Sequence, residues 1–367
     1  MGTKPAFNVG LGLVWGNLFD GLTDEQMYMR ELDLAVKAEE IGFDSVWSVE
    51  HHFNSYAMCP SNFQVLSYIA ARTSIIKLGL GAVILPWHDP LRVAENVAML
   101  DIMCNGRLLL GFGRGLAKRE YDGFRQDMAE SRERFNEAAR FVIDALETGF
   151  AEFNGVYYKQ PRVEIRPRPP RSFKGRLYGV AMSPDSVIPV ADLGATMAMF
   201  VQGPIEKSIP AIEAHKQHFL SKFGHLPDPV GMTDFTYCHE DADTAEAGAR
   251  KHLSTYFLSV MNHYGLMGTG FEGVKGYSTY AEASKMMREI GKEAVLEAYI
   301  QSQIWGTPAQ VIEKFEKRVA TVGLYQQRFC CSFGANPYEQ VEASMRLLGS
   351  KVIPQMRRIA DGWREAA

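Results

Sequence analysis

The stretch from Gly106 to Gly115, GRLLLGFGRG, has three consecutive leucines that lead into alternating glycines. A short apolar run flanked by glycines is typical of a fully buried strand in a parallel sheet. Gly111, Gly113 and Gly115 let the backbone approach a ligand closely, and Arg114 adds a permanent cation. The stretch therefore predicts a strand that ends at an anion site. Its G-x-G-x-G spacing is not the dinucleotide fingerprint, and a tight turn with a solvated arginine is the alternative.

Strand and helix patterns alternate on both sides of this central strand. They predict eight strands near residues 7, 45, 76, 108, 177, 196, 233 and 327, nearly all followed by helices. Strands separated by helices imply a parallel sheet with right-handed crossovers. We therefore predict an α/β fold, a (β/α)8 TIM barrel that forms a single domain over residues 1–367. An open, doubly wound sheet with a helical domain is the alternative.

Two segments break the alternation and predict insertions after the fourth and seventh helical units. Residues 151–176 contain the hairpin signal Asn154-Gly155 and a proline-rich connection, so we interpret them as a hairpin excursion. Residues 264–305 are glycine-rich and then polar and helical. We interpret this second segment as a candidate lid over the active site.

Composition limits the classes of partner. The formal net charge is −4 over 367 residues, and no cluster of lysine and arginine is long enough to bind nucleic acid or a membrane surface. Nothing near the start resembles a signal peptide, and no apolar run approaches the roughly 20 residues of a membrane span. We expect a cytoplasmic protein whose partner is a small molecule. The five cysteines lack metal-ligand spacing, and we expect buried thiols.

Catalytic residues of such barrels lie where strands end, and the second strand ends at Glu50-His51-His52. Histidine can donate and accept a proton near neutral pH, so this triplet is a candidate catalytic group. A polar strand end with one histidine bonded to backbone is the alternative. A metal site could draw on these histidines with His88 and Asp89, but the spacing supports none, and we predict no metal.

The strand near residue 177 leads into a helix that opens at Ser183, with Ser186 in its first turn. The free backbone amides of a helix N-terminus and the two serine hydroxyls suit a phosphate group. An ordinary serine cap is the alternative. Together with Arg114, this helix predicts where an anionic ligand would bind.

Motifs over nearly the whole chain carry a resemblance to a known family. They are GFDSVW at 42–47, EHHF at 50–53, Leu85-Pro86 with Asp89-Pro90, Leu100-Asp101 with Gly106-Arg107, Arg114-Gly115-Leu116, Asp127-Met128 with Ser131-Arg132, Gly306-Thr307-Pro308 and Gly334-Ala335-Asn336. Together they resemble the bacterial luciferase-like flavin-dependent monooxygenases. The resemblance implies reduced FMN (FMNH2) as cofactor and insertion of one oxygen atom from O2 into an apolar organic substrate through a flavin hydroperoxide. It also implies a separate NAD(P)H:flavin reductase.

The resemblance assigns roles to individual cofactor-binding residues. Arg114 and Arg132 match the arginines that bind the flavin phosphate, and Ser183 and Ser186 match the donors beside it. His51 matches the catalytic histidine.

Three further positions concern the flavin ring and the phosphate. Gly81-Ala82 matches a pair joined by a cis peptide that supports the flavin ring. Gly113 stands where luciferase has a reactive cysteine, and Met182 replaces an acidic residue before the first serine.

Other functions and the oligomeric state stay open at this level. A deazaflavin-dependent oxidoreductase that transfers hydride is one alternative, and a flavin-binding protein without catalysis is another, although Glu50-His51-His52 argues against the latter. The helix from Leu91 to Cys104 carries more apolar residues than one barrel face needs. We therefore expect a homodimer or a larger homo-oligomer.

Overall fold

The computed structural model describes residues 7–366, apart from the side chains of residues 184, 185 and 364–366. Residues 1–6 and 367 of the predicted domain lie outside the described part. No helix among the described residues is both long and apolar enough to cross a membrane.

Eight parallel strands form a closed barrel. The strands of the chain are β1 (Val9–Leu13), β2 (Ser45–Ser48), β3 (Lys77–Leu80), β4 (Val83–Ile84), β5 (Leu108–Gly113), β6 (Phe150–Asn154), β7 (Lys159–Glu164), β8 (Leu177–Val180), β9 (Thr196–Phe200), β10 (Gly231–Phe235) and β11 (Gln326–Cys330). The barrel order is β1-β2-β3-β5-β8-β9-β10-β11, and β11 pairs back with β1. The predicted barrel is confirmed, and the open sheet is excluded.

Helices surround the barrel. They are α1 (Asp24–Ile41), α2 (Asn62–Arg72), α3 (Pro90–Met103), α4 (Lys118–Phe124), α5 (Ser131–Thr148), α6 (Pro184–Asp192), α7 (Ile209–Phe223), α8 (Ala242–Tyr264), α9 (Ser278–Ile290), α10 (Lys292–Ser302), α11 (Pro308–Val322), α12 (Tyr338–Leu347) and α13 (Ile353–Ala366). Capping boxes at Thr23 and Thr307 begin α1 and α11, where the hydroxyl of each threonine accepts a backbone N–H of the first turn.

Three departures from a plain barrel shape the site. The strand that the sequence predicts at 76–85 is two strands, β3 and β4, which meet at a cis peptide between Gly81 and Ala82. The antiparallel hairpin β6–β7 lies between α5 and β8. Helices α9 and α10 lie between α8 and α11, within residues 264–305.

The barrel interior is separate from the main core between sheet and helices. Trp47, Leu109, Tyr178 and Ala198 form a small cluster of buried residues of their own. All five cysteines are buried and free, as predicted. The mouth above this interior, at the carboxyl ends of the strands, is where the predicted site residues meet.

Candidate active site

A cleft of about 890 Å³ opens at the carboxyl ends of β2, β3, β5 and β8. It brings together most of the residues that the sequence singled out. These are Glu50, His51, Gly81, Ala82, Gly113, Arg114, Arg132, Met182 and Ser186. Ser183 and His52 do not line the cleft and lie directly behind it. Most of the site residues predicted from the strand ends therefore lie along one continuous surface.

Glu120, in the first turn of α4, fixes His51. One oxygen, Oε1, lies 3.0 Å from His51 Nδ1, accepts the His52 backbone N–H at 2.7 Å, and lies 3.5 Å from His263 Nε2. Burial alone would raise the pKa of Glu120, but the neighbouring His51 and His263 lower it to about 2. Glu120 is therefore a carboxylate at neutral pH.

This carboxylate sets the tautomer of His51. Because a carboxylate only accepts hydrogen bonds, the proton of the neutral imidazole lies on Nδ1. His51 Nε2 then faces the hydroxyl of Tyr264 at 3.1 Å. Burial raises the pKa of Tyr264, so its hydroxyl keeps its proton and donates to Nε2.

Hydroxyl groups continue from Tyr264 away from the cleft. Its oxygen lies 3.5 Å from the hydroxyl of Tyr56, which accepts a hydrogen bond from Tyr256 at 3.0 Å. These tyrosines also line a second cavity of about 640 Å³.

The second cavity is mainly aromatic and aliphatic. Its apolar lining comprises Val49, Phe200, Val201, Phe235, Phe257, Val260, Met261, Leu266, Met287 and Val295. His51, Gln202 and Tyr264 border both cavities. The imidazole thus lies where the cleft and the apolar cavity meet.

Glu50 ties the end of β2 to the loop after β3. Its carboxylate lies 2.6 Å from His88 Nε2 and 3.3 Å from His52 Nε2, and it accepts the backbone N–H of Ile84 at 3.1 Å. Burial would raise the pKa of Glu50, but the two histidine hydrogen bonds lower it. His52 packs edge-on against Phe124, with ring centres 4.6 Å apart. The three residues of the triplet thus differ in their partners. His51 bonds to Glu120 and Tyr264, whereas Glu50 bonds to His52, to His88 and to the backbone of Ile84.

The groups around Glu120 are also close enough to suit a metal ion. His51, Glu120 and His263 each offer one ligand atom, and these atoms lie within 4.8 Å of one another. Glu120 Oε1 already accepts two N–H groups, whereas Glu120 Oε2 and both ring nitrogens of His263 are buried without a hydrogen-bond partner among the described residues.

At the other end of the cleft, residues 275–277 lie over Arg114. The guanidinium donates from Nη1 to the carbonyl of Gly276 at 2.9 Å, and its carbon lies 3.9 Å from the centre of the Tyr277 ring. Tyr277 donates to the carbonyl of Gly115 at 3.0 Å, and Lys275 pairs with Glu133 of α5. The segment predicted as a lid therefore touches the predicted phosphate site.

The first turn of α6 is also internally bonded. Ser186 Oγ accepts the backbone N–H of Met182 at 3.2 Å and that of Ser183 at 3.0 Å. A phosphate could reach these two amides only after the hydroxyl turns away from them.

Gly113 shapes the floor of the cleft. A Cβ at this position would lie 2.7 Å from Ile84 Cδ1 and 3.3 Å from Ala82 Cβ, so a side chain here would fill space beside the cis peptide. The absence of a side chain leaves this space open, and the cationic residues Arg114 and Arg132 border the same cleft. The cleft therefore fits a planar ring with a phosphate tail.

Sequence reasoning missed the three residues that hold His51. Glu120 sits in the polar run Lys118-Arg119-Glu120, which has the composition of a solvated turn. His263 and Tyr264 end a long helix far along the chain. Only the fold shows that these three residues surround one imidazole, with Glu120 and His263 buried and Tyr264 half-buried.

Comparison with known proteins gives one family. The sequence model of the luciferase-like monooxygenases matches residues 9–325. The alkanal monooxygenase alpha chain of the Kryptophanaron alfredi symbiont is 25% identical over 346 residues, which cover 92% of this chain and 95% of the relative. The oxygenase component of the flavin-dependent trigonelline monooxygenase of Acinetobacter baylyi is 24% identical over 340 residues, 91% of each chain.

Solved structures share the fold. Monooxygenase RslO1 from Streptomyces bottropensis has a TM-score of 0.78 at 23% identity, over 95% of this chain and 99% of its own. The oxygenating constituent of 3,6-diketocamphane monooxygenase from Pseudomonas putida, in complex with FMN, has a TM-score of 0.72 at 17% identity with the same coverage. The coenzyme F420-dependent tetrahydromethanopterin reductase of Methanopyrus kandleri has a TM-score of 0.66 at 21% identity, over 95% and 99%.

Proposed function

The chain belongs to the luciferase-like monooxygenase family, and we propose that it is an FMNH2-dependent monooxygenase that uses O2 on an apolar organic substrate. One observation carries the proposal: a cleft with cations at one end and a carboxylate-fixed histidine at the other opens beside an apolar cavity. The flavin-dependent relatives support a flavin cofactor, and the relative described as an oxygenase component supports a separate NAD(P)H:flavin reductase.

The cleft would hold the flavin by its two ends. Arg114 and Arg132 would bind the phosphate, because charge-assisted hydrogen bonds to phosphate oxygens are strong and directional. Ser183 and Ser186 would donate from the α6 terminus, and the floor at Gly81-Ala82 would support the ring. Reduced FMN, when bound, would react with O2 and supply the oxygen atom that the substrate receives.

His51 would hold or move the proton that this chemistry needs. Its Nε2 is the only ring nitrogen not committed to Glu120, and it accepts from Tyr264. Glu120 fixes the ring orientation and stabilises the imidazolium if Nε2 takes a proton. Glu50 and His52 would act as positioning residues. They bond to each other, Glu50 also accepts the backbone N–H of Ile84, and neither side chain bonds to Tyr264.

The apolar cavity would bind the substrate. Its aromatic walls adjoin His51, so a bound apolar molecule would exclude water from the reacting end of the flavin. Residues of α8, α9 and α10 form one side of the cavity, so segment 264–305 would act as a lid that also contributes to specificity.

The experiment is a substrate screen with the protein and enzymatically reduced FMN under labelled O2. Label in the product supports the monooxygenase, and reduced coenzyme F420 without O2 tests the alternative that the F420-dependent structure suggests. Hydride transfer from the deazaflavin with no labelled product would establish that alternative. Tight flavin binding with neither reaction would indicate a flavin-holding protein.

We also propose a homodimer in the cytoplasm. On α3, Met99, Ile102 and Met103 are 47%, 45% and 52% exposed, which is apolar surface that a second copy would cover. Five unpaired thiols fit a reducing compartment. Light scattering at micromolar concentration should give twice the monomer mass, and an Ile102→Asp variant should give the monomer mass.

A further inference from the structure

We propose that a small monovalent anion binds inside the barrel against the guanidinium of Arg328. Arg328 lies on β11, points into the barrel and is only 5% exposed. The guanidinium carbon lies 3.6 Å from the centre of the Trp47 ring and 5.2 Å from that of the Tyr178 ring. The cation therefore lies on aromatic faces in the middle of the fold. The inference concerns this chamber alone and does not depend on the proposed function.

The charge of Arg328 lacks a balancing group in the described part of the chain. Nε and Nη2 are both buried, and neither has a hydrogen-bond partner among the described residues. Burial lowers the pKa of Arg328 to about 10, and Tyr178 opposes this only weakly, so the side chain is a cation at neutral pH. Stacking on aromatic rings offsets only part of the free-energy cost of an isolated buried charge.

Arg318 shows how the same fold treats another buried arginine. It is 6% exposed, and its guanidinium donates to both oxygens of Asp234, at 2.6 and 2.9 Å, and to the carbonyl of Ser302 at 3.0 Å. Its charge is therefore balanced within the chain. Asp234 also accepts a hydrogen bond from the side-chain amide of Gln327, so its oxygens are already bonded and do not balance the charge of Arg328. The contrast with Arg328 indicates that the counter-charge at Arg328 comes from outside the chain.

The surroundings of Arg328 form a site of fixed geometry. The guanidinium occupies the space that a side chain at position 231 would take, since a Cβ on Gly231 would lie 2.6 Å from Nη2. Arg328 borders a narrow chamber with room for about one water-sized group, and the wall of this chamber includes Thr233 and Gly12. The chamber continues to Gly81 and Ala82, which also border the cleft above. An anion could therefore enter from the mouth of the barrel. Inside, it would lie near the cation of Arg328 and the hydroxyl of Thr233.

Bromide is a suitable probe because it is monovalent and detectable by anomalous scattering. Crystals of the wild-type protein soaked in sodium bromide should show an anomalous peak in contact with Arg328. Arg318, whose charge is already balanced, serves as the reference in the same crystal and should show none. The absence of a peak at Arg328, or equal peaks at both arginines, would overturn the proposal.

A solution experiment tests the same site without crystals. The melting temperature is compared in sodium bromide and in sodium gluconate at equal ionic strength, because gluconate is too bulky for the chamber. A ligand that binds only the folded state stabilises it, so bromide should raise the wild-type value by about 2 °C or more relative to Arg328→Met. An equal response of the two proteins would contradict the proposal. If the variant does not fold, the crystal experiment decides.

Discussion

The two ends of the cleft differ in the partners of their polar groups. At the histidine end, defined by His51 and Glu120, the two side chains bond to each other, and Nε2 of His51 is directed at Tyr264. At the phosphate end, defined by Arg114 and Ser186, the donors and acceptors bond to the lid segment or to nearby backbone. The histidine end is thus ordered through its own hydrogen bonds, whereas the phosphate end would have to exchange partners to bind a phosphate as we propose.

The largest effect is expected from His51→Ala. If His51 holds the proton of the reaction, the turnover number should fall by about 10²- to 10⁴-fold, which is the range for general acid–base groups. Affinity for reduced FMN should change less than about threefold, because the proposed phosphate site lies at the other end of the cleft. Product formation and flavin affinity are measured separately.

The control for this variant is His218→Gln, which alters a histidine paired with Asp192 on the surface. Its turnover should equal that of the wild type. Turnover of His51→Ala within threefold of the wild type would remove His51 from the mechanism.

A second test breaks the histidine end at Glu120. Its pKa falls from the ordinary 4.5 to about 2 in the folded protein, so its stabilisation is complete above pH 4.5 and is lost as the pH falls through 2. This shift corresponds to about 3 kcal/mol at neutral pH. Glu120→Gln should be less stable by about this amount at pH 6, and the difference should shrink by about 2 kcal/mol by pH 3.

Urea unfolding at pH 6, 5, 4 and 3 measures this difference. Glu95→Gln is the matched control, since Glu95 pairs with Arg92 at the surface and its effect should stay near zero. A stability difference for Glu120→Gln that is constant over this pH range would show that the carboxylate charge does not hold the histidine cluster.

A third test concerns the phosphate end. Arg114→Ala should weaken FMN binding about 10- to 100-fold, because a charge-assisted hydrogen bond contributes about 1.5–3 kcal/mol. Folding should change little, since the guanidinium of Arg114 bonds to the Gly276 carbonyl and stacks on Tyr277, both in segment 264–305. Fluorescence titration of FMN gives the dissociation constant.

Arg134→Ala is the control for Arg114. Arg134 lies on α5, as Arg132 does, but it pairs with Glu130 and stacks on Tyr157 outside the cleft. Equal losses of affinity in the two variants would indicate a general charge effect, and the assignment of Arg114 would be wrong.

The smallest effect is expected from Ser186→Ala. The variant removes one donor hydroxyl but releases the backbone N–H groups of Met182 and Ser183, which can then face a phosphate. The two changes oppose each other, so FMN affinity should change less than about threefold, or about 0.7 kcal/mol. A loss above tenfold would mean that the hydroxyl itself binds the phosphate.

The barrel and the cleft were predictable because their signals are local. Apolar runs followed by glycine or polar strand ends gave the eight strands, and the ends of the second and fourth strands identified His51 and Arg114. The split of 76–85 into β3 and β4 was not visible in the apolar pattern, which continues across the junction.

The supports of the site were not predictable, because they depend on contacts between distant segments. Glu120 looks like a solvated glutamate, but in the fold it contacts the His52 backbone after β2 and His263 of α8, and it is buried. Likewise, the local sequences of Arg318, on a helix, and Arg328, on a short strand, do not show which of the two arginines has a carboxylate partner. Only the pairing of Arg318 with Asp234 separates the two.

Segment 264–305 connects both ends of the cleft through one stretch of chain. It supplies Tyr264 to the histidine, Gly276 to Arg114, and Met287 and Val295 to the apolar cavity. A chimera that takes this segment from a relative would therefore acquire that relative's substrate preference and its cofactor residence time together. In directed evolution, selection for a new substrate through this segment would alter flavin retention as a by-product.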